Sequence, residues 1–248
     1  MRLQPFIPAD TEPLYAALTN LGVGCIPIYM AQIFSPAANT IFRILLVGFP
    51  LAAIGGLFAA YRIAYSPTGT RVGYPIDQPV AFSHQHHAGE LGIDCRYCHT
   101  TVEKAAFAGM PPTETCMTCH SQVWTEAGLL EVVRQSLMQV RPIDWTRVHN
   151  VADYVYFDHS IHINKGVGCA SCHGRVDEMP ITWKNATLQM GWCIECHRHP
   201  ENALRPRNEI FNLAWKPSGE QAALGRELAK QYHIRSEQEL TDCTTCHR

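Results

Sequence analysis

Polar and apolar positions divide the chain near residue 65. Residues 44–61 read ILLVGFPLAAIGGLFAAY, 18 positions without a charge, bounded by Arg43 and Arg62. At the helical rise this run spans about 27 Å, close to the hydrocarbon thickness of a bilayer. Ile41 and Phe42 lengthen it, with Arg43 snorkelling to the interface. Pro50, Gly48, Gly55 and Gly56 are tolerated in membrane helices and favour close helix contact. The pattern predicts a transmembrane helix over residues 41–65. A cleaved signal peptide fits less well, because its apolar run is shorter and nearer the N-terminus. Residues 13–41 carry no charge either, but Asn20, Gly22, Gly24 and Pro27 interrupt their apolar character. Residues 1–40 are therefore expected to be an interfacial or partner-binding segment rather than a second span.

Beyond the apolar run, residues 66–81 are rich in Pro, Gly and Thr and read as a linker. No long alternating pattern predicts a strand. Leu129, Leu130, Val132, Val133, Leu137 and Met138 recur at helical spacing, predicting an amphipathic helix within residues 121–140. Residues 220–231 also read as helical, with Glu227 and Lys230 spaced (i, i+3) on a solvent face. The expected fold class is mostly α and irregular.

The cysteines change the picture. There are 11, and ten fall into five C-x-x-C pairs, each followed directly by histidine. The motifs are Cys95–Cys98–His99, Cys116–Cys119–His120, Cys169–Cys172–His173, Cys193–Cys196–His197 and Cys243–Cys246–His247. C-x-x-C-H is the attachment signature of c-type haem: two thiols add to the porphyrin and the adjoining imidazole binds iron. Zinc ribbons and disulfide frameworks also use paired cysteines, but neither requires a histidine after every second one. Five covalent haems c are expected. Cys25 stands outside the pattern and reads as a small apolar residue. The 183 residues of 66–248 give roughly 37 per haem, too few for a conventional core around each, so the haems should pack closely. Residues 82–248 are expected to form this pentahaem domain. The formal charge of −2 gives no basic surplus to suggest a nucleic-acid partner.

A weak repeat links the motifs. Phe82-Ser-His84-Gln-His-His87 precedes the first two, and Phe157-Asp-His159-Ser-Ile-His162 precedes the third and fourth. The domain thus reads as two two-haem modules and a C-terminal single haem. In each F-x-H-x-x-H unit the histidines sit one helical turn apart and can serve different irons. His84, His87, His159 and His162 are the expected sixth ligands, with His149 as the fifth. His86, His199 and His233 read as surface or capping residues. Met190 is the competing thioether ligand, ahead of Met110 and Met179, and would raise the potential of the haem it served. Arg198, Arg205 and Arg207 are positioned to pair with propionates or to stay solvated.

The text between motifs carries a resemblance. Residues 82–99, Gly109-Met-Pro-Pro-Thr-Glu-Thr-Cys116, Val155-Tyr-Phe-Asp-His159, Met190-Gly-Trp-Cys193 and Leu240-Thr-Asp-Cys243 are similar to the pentahaem cytochrome subunit of alternative complex III, over roughly residues 41–248. That resemblance implies a quinol oxidoreductase complex of a respiratory or photosynthetic chain. It implies an iron–sulfur subunit and polytopic quinone-binding subunits as partners, with a monohaem cytochrome or other soluble acceptor beyond them. The chain would then be a non-catalytic electron-transfer subunit in contact with membrane lipid. It would cross the bacterial inner (cytoplasmic) membrane once, with the haem domain on the periplasmic side, where haem attachment takes place. A related quinone-reductase complex uses a similar subunit with opposite electron flow. Two other readings stand beside this one: a stand-alone membrane-anchored multihaem quinol dehydrogenase, and a catalytic multihaem reductase. The last needs an open iron position, whereas eight spare histidines are available here to cap the irons.

Overall fold

The computed structural model describes residues 34–247. Most of the expected N-terminal segment, with Cys25, lies outside the described residues. The chain divides into two compact units, Met1–Ala60 and Tyr61–Arg248.

Helix α1, Pro36–Ala64, is long and apolar enough to cross a membrane, and it buries none of its side chains. It starts ahead of the expected residue 41. Ser35 accepts from the Ala38 amide at 3.3 Å, and Pro36 opens the helix with its φ already set and no amide left unbonded. Pro50 is accommodated inside, and Arg62 stands in the last turn, where the helix dipole favours a cation.

The second unit is built from short helices joined by turns, with no strand among the described residues beyond isolated bridges. In chain order the helices are α2 (Pro67–Thr70), α3 (Cys95–Cys98), α4 (Thr113–His120), α5 (Glu131–Gln139), α6 (His159–Asn164), α7 (Cys169–His173), α8 (Met190–Arg198), α9 (Gln221–Gln231), α10 (Glu237–Leu240) and α11 (Cys243–Cys246). A π-helical turn, Gln85–Glu90, precedes α3. Mostly α and irregular is therefore the observed class.

The helix expected within 121–140 is shorter than its apolar spacing suggested. Only α5 is α-helical, after a 3₁₀ turn at Gly128–Leu130. Trp124 sits at φ 56°, and the Arg134 guanidinium donates to the Thr125 and Ala127 carbonyls at 2.8 and 3.0 Å. The arginine thus satisfies carbonyls that a longer helix would have used. Helix α9 meets the expectation for 220–231. Its Gly225 packs on the Glu201 carbonyl, where an added Cβ would lie 1.9 Å from the oxygen.

Conventional core is sparse. Val102, Ile163 and Ile210 form one cluster, joined by Cys169 and Phe211. Leu204, Leu228 and Tyr232 form another, joined by Val167 and Ile234. The rest of the domain is organised around cysteines and histidines.

Candidate haem-binding site

Each C-x-x-C-H motif lies on or next to a helical turn. Asp94 and Asp242 cap α3 and α11 by accepting from the Arg96 and Thr244 amides at 2.8 and 2.9 Å. One turn places cysteines i and i+3 on a common side, with the histidine following. None of the ten motif cysteines is paired in a disulfide. Burial raises the thiol pKa at Cys95, Cys98, Cys116, Cys193 and Cys196, and pushes Cys169 and Cys172 up to about 12.

The histidine rings are oriented by their Nδ1 atoms. His99 donates to the Gly109 carbonyl at 2.8 Å, His120 to Val123 at 3.1 Å, His197 to Leu240 at 2.9 Å and His247 to Tyr154 at 3.2 Å. His87 donates to Ser83 at 2.8 Å, His162 to Asp158 at 2.7 Å and His159 to Ala106 at 2.8 Å. His84 Nδ1 lies 2.9 Å from the Thr182 hydroxyl. An imidazole whose Nδ1–H is held by a carbonyl presents a basic Nε2, the usual arrangement of a metal-binding histidine.

Ring positions make the same point. The centres of His87 and His120 are 6.2 Å apart, those of His159 and His173 6.3 Å, and those of His162 and His197 6.1 Å. With metal–nitrogen bonds of about 2 Å on either side, two imidazoles on one metal have ring centres about 6 Å apart. Burial first, and then the nearby His99, lower the His84 pKa to about 4. Burial first, and then His149, His159 and other histidines, lower His173 to about 3. Among the described residues, no three His, Cys, Asp or Glu side chains converge as on a bare ion. The donor set thus fits covalent haem: paired thiols, a following imidazole and a second imidazole opposite.

His149, expected as the fifth sixth-ligand, lies beside the third motif. Its ring packs edge-on against His173 at 4.3 Å, too close for a metal between them, and its Nε2 is buried without a partner. Its pKa is lowered to about 4 by burial, then by Lys184 and His159. Met190 opens α8 with its side chain largely exposed, and Met110 is also exposed. Met179 is instead fully buried in the core. Among the surplus histidines, His86 binds Glu90 at 2.8 Å and stacks on Trp124, and His199 lies 3.5 Å from Glu201. His233 occupies a turn at φ 52°.

The arginines have structural duties. Arg205 is buried over Trp215 and donates to the Asn212 carbonyl at 3.1 Å, while Arg207 lies over Tyr232 and donates to the Asn164 carbonyl at 3.2 Å. Arg198 approaches Glu237 at 3.9 Å. Sequence reasoning missed Thr182 altogether, and no local signal marks it. The phenylalanines were visible in the repeat, but not their part. Phe82 stacks on His87 at 4.4 Å and meets His84 edge-on at 4.9 Å; Phe157 does the same to His162 and His159, at 4.6 and 4.7 Å.

These features define a protein of the class that holds more than one covalent haem c. The profile described as "Cytochrome c7 and related cytochrome c" matches residues 80–133 and 155–248, and the chain belongs to that family. The chain is also similar to the multiheme cytochrome c subunit of menaquinone reductase from Nitratidesulfovibrio vulgaris (strain Hildenborough). The two are 28% identical over 183 residues, 65% of this chain and 83% of that protein. Covalent haem c is accordingly the cofactor.

Proposed function

We propose that the chain is the electron-relay subunit of a quinone-linked membrane complex and carries five covalent haems c. The observation that carries this reading is the set of histidine pairs at 6.1–6.3 Å, each joining a motif histidine to one from an F-x-H-x-x-H unit. Bound haem iron supplies a one-electron couple. The chain's residues would do the rest: ten cysteines would anchor the porphyrins, and His99, His120, His173, His197 and His247 would each bind an iron. His84, His87, His159 and His162 would supply the second imidazole for the first four. Met190 is proposed for the fifth, since Cys193, three residues after it, neighbours Cys246. A thioether there would give the fifth haem the highest potential. With every iron closed, the chain passes electrons and does not bind a substrate.

In this reading residues 41–65 anchor the chain, residues 66–81 link it and residues 82–248 form the haem domain on the periplasmic side. The partners are an iron–sulfur subunit and polytopic quinone-binding subunits, as in alternative complex III. The relative's identity as part of a menaquinone reductase supports the quinone link. It also favours a second reading, in which the same relay runs towards quinone. Native electrophoresis in mild detergent with haem staining, followed by mass spectrometry, tests the assignment. A large stained band containing iron–sulfur and polytopic subunits is expected. A band of this chain alone that oxidises menaquinol unaided overturns it in favour of a stand-alone dehydrogenase. The direction follows from whether the isolated complex reduces quinone or oxidises quinol.

A further inference from the structure

The attachment motifs do not neighbour one another in sequence order. We propose that they form an open row in which the second motif lies at one end, followed by the first, third, fourth and fifth. This rests on the five-haem reading above and adds to it which motifs are terminal.

Each link has its own contact. The second and first motifs meet where the Tyr97 hydroxyl, inside the first, donates to the Thr118 hydroxyl, inside the second, at 2.7 Å; Thr118 in turn donates to the Thr115 carbonyl. His87, which stands ahead of the first motif, lies with its ring centre 6.2 Å from that of His120 in the second. The first and third motifs meet through the loop after His99. The His159 amide and its Nδ1 both donate to the Ala106 carbonyl, at 3.1 and 2.8 Å, and His159 is the ring opposite His173. Val102, three residues after His99, shares a cluster with Cys169. The third and fourth motifs are joined by α6, whose His159 and His162 lie opposite His173 and His197. The fourth and fifth are joined where His197 Nδ1 donates to the Leu240 carbonyl at 2.9 Å, ahead of Cys243. Exposure agrees independently: among the ten motif cysteines, Cys119 and Cys243, in the two terminal motifs, are exposed, and the other eight are partly buried.

The second motif is therefore a terminus, although the first comes earlier in the chain. The segment linking the modules, residues 121–156, is not a bridge between neighbouring haems. An electron travelling from end to end must cross from the first to the third motif.

The test places a ruthenium photosensitiser on a Q238C side chain, beside the fifth motif, in the haem-loaded full chain. A flash then injects one electron, and its arrival at each haem is followed by absorbance. Removing the first attachment (C95A with C98A) should abolish arrival at the second haem. Removing the second (C116A with C119A) should leave arrival at the first unchanged. The converse pair of results overturns the order. If either variant fails to mature, electron cryomicroscopy of the unmodified complex decides: the iron of the second motif should neighbour that of the first, and the order fails if it neighbours the third instead. A haem count by mass below five would refute the five-haem reading but leave the order of the loaded motifs measurable.

Discussion

The two F-x-H-x-x-H modules reach one ring geometry through different backbones. In the second, Asp158 caps an ordinary α-helix, accepting from the Ser160 amide at 2.8 Å. In the first, the chain after His84 is a π-helical turn, with Gly89 pressed on the Asp177 carbonyl, where an added Cβ would stand 2.3 Å from the oxygen. Even so, the Phe–His centre distances agree within a few tenths of an ångström, and the second histidine of each unit donates to the carbonyl four residues back. The constraint on the site therefore lies in the first turn, and the backbone beyond it is free to vary. The modules also hold each other. His84 of the first is set by Thr182 of the second, and His159 of the second by Ala106 of the first. Neither leading histidine finds its Nδ1 partner within its own module.

The strongest way to break the comparison is to remove the second histidine of each unit. H87A and H162A should each convert one haem of the set from low to high spin and let it bind carbon monoxide, read by electron paramagnetic resonance and visible spectra. If either variant left every haem low-spin, the pairing across 6.1–6.2 Å would be wrong.

Acid should act on both modules together. Burial lowers the pKa of His84 and His173 below the ordinary 6.5, and bound iron would hold both rings unprotonated, so the unfolded chain binds these protons first. The stabilisation is complete above pH 6.5 and is lost as pH falls towards 4 and below. A melting temperature that falls steadily on titration from pH 7 to 4 checks the sign.

The third comparison is between equivalent positions seven residues after each phenylalanine. G89A must displace the Asp177 carbonyl and should cost about 1–3 kcal/mol, more than the ~1 kcal/mol gained in helix propensity. N164A loses one hydrogen bond to the Glu103 carbonyl, worth about 0.5–1.5 kcal/mol. Denaturant midpoints of the two variants should rank in that order.

A finer distinction comes from T182V, which removes a hydroxyl from His84 alone at about 1 kcal/mol. A redox titration should show the potential of the first haem shifted and that of the third unchanged. The smallest effect is expected at the histidine that only the first module has. H86A loses an exposed pairing with Glu90, should change stability by less than about 0.5 kcal/mol and should leave every haem spectrum intact.

The apolar helix, the mostly helical class, the doubled module and the haem chemistry were legible in the sequence. So was the spacing that sets the two histidines of each unit one turn apart. The length of α5 was not, because a side chain from within the helix, Arg134, satisfies the carbonyls ahead of it. The place of His149 was not legible for a related reason: a lone histidine carries no spacing to show where its ring will go.

By itself, the sequence determined what depends on contacts within about four residues: the thiols on one turn, the imidazole beside them and the Phe–His–His stack. Tertiary structure alone decided what depends on distant carbonyls and hydroxyls. The partners of His84, His159, His197 and His247 lie 98, 53, 43 and 93 residues away. A ring N–H donates to whichever acceptor packing delivers, and packing follows the whole chain. The order of the motifs belongs to this second class, because neighbours in the row are set by which module's loop reaches the other's histidine.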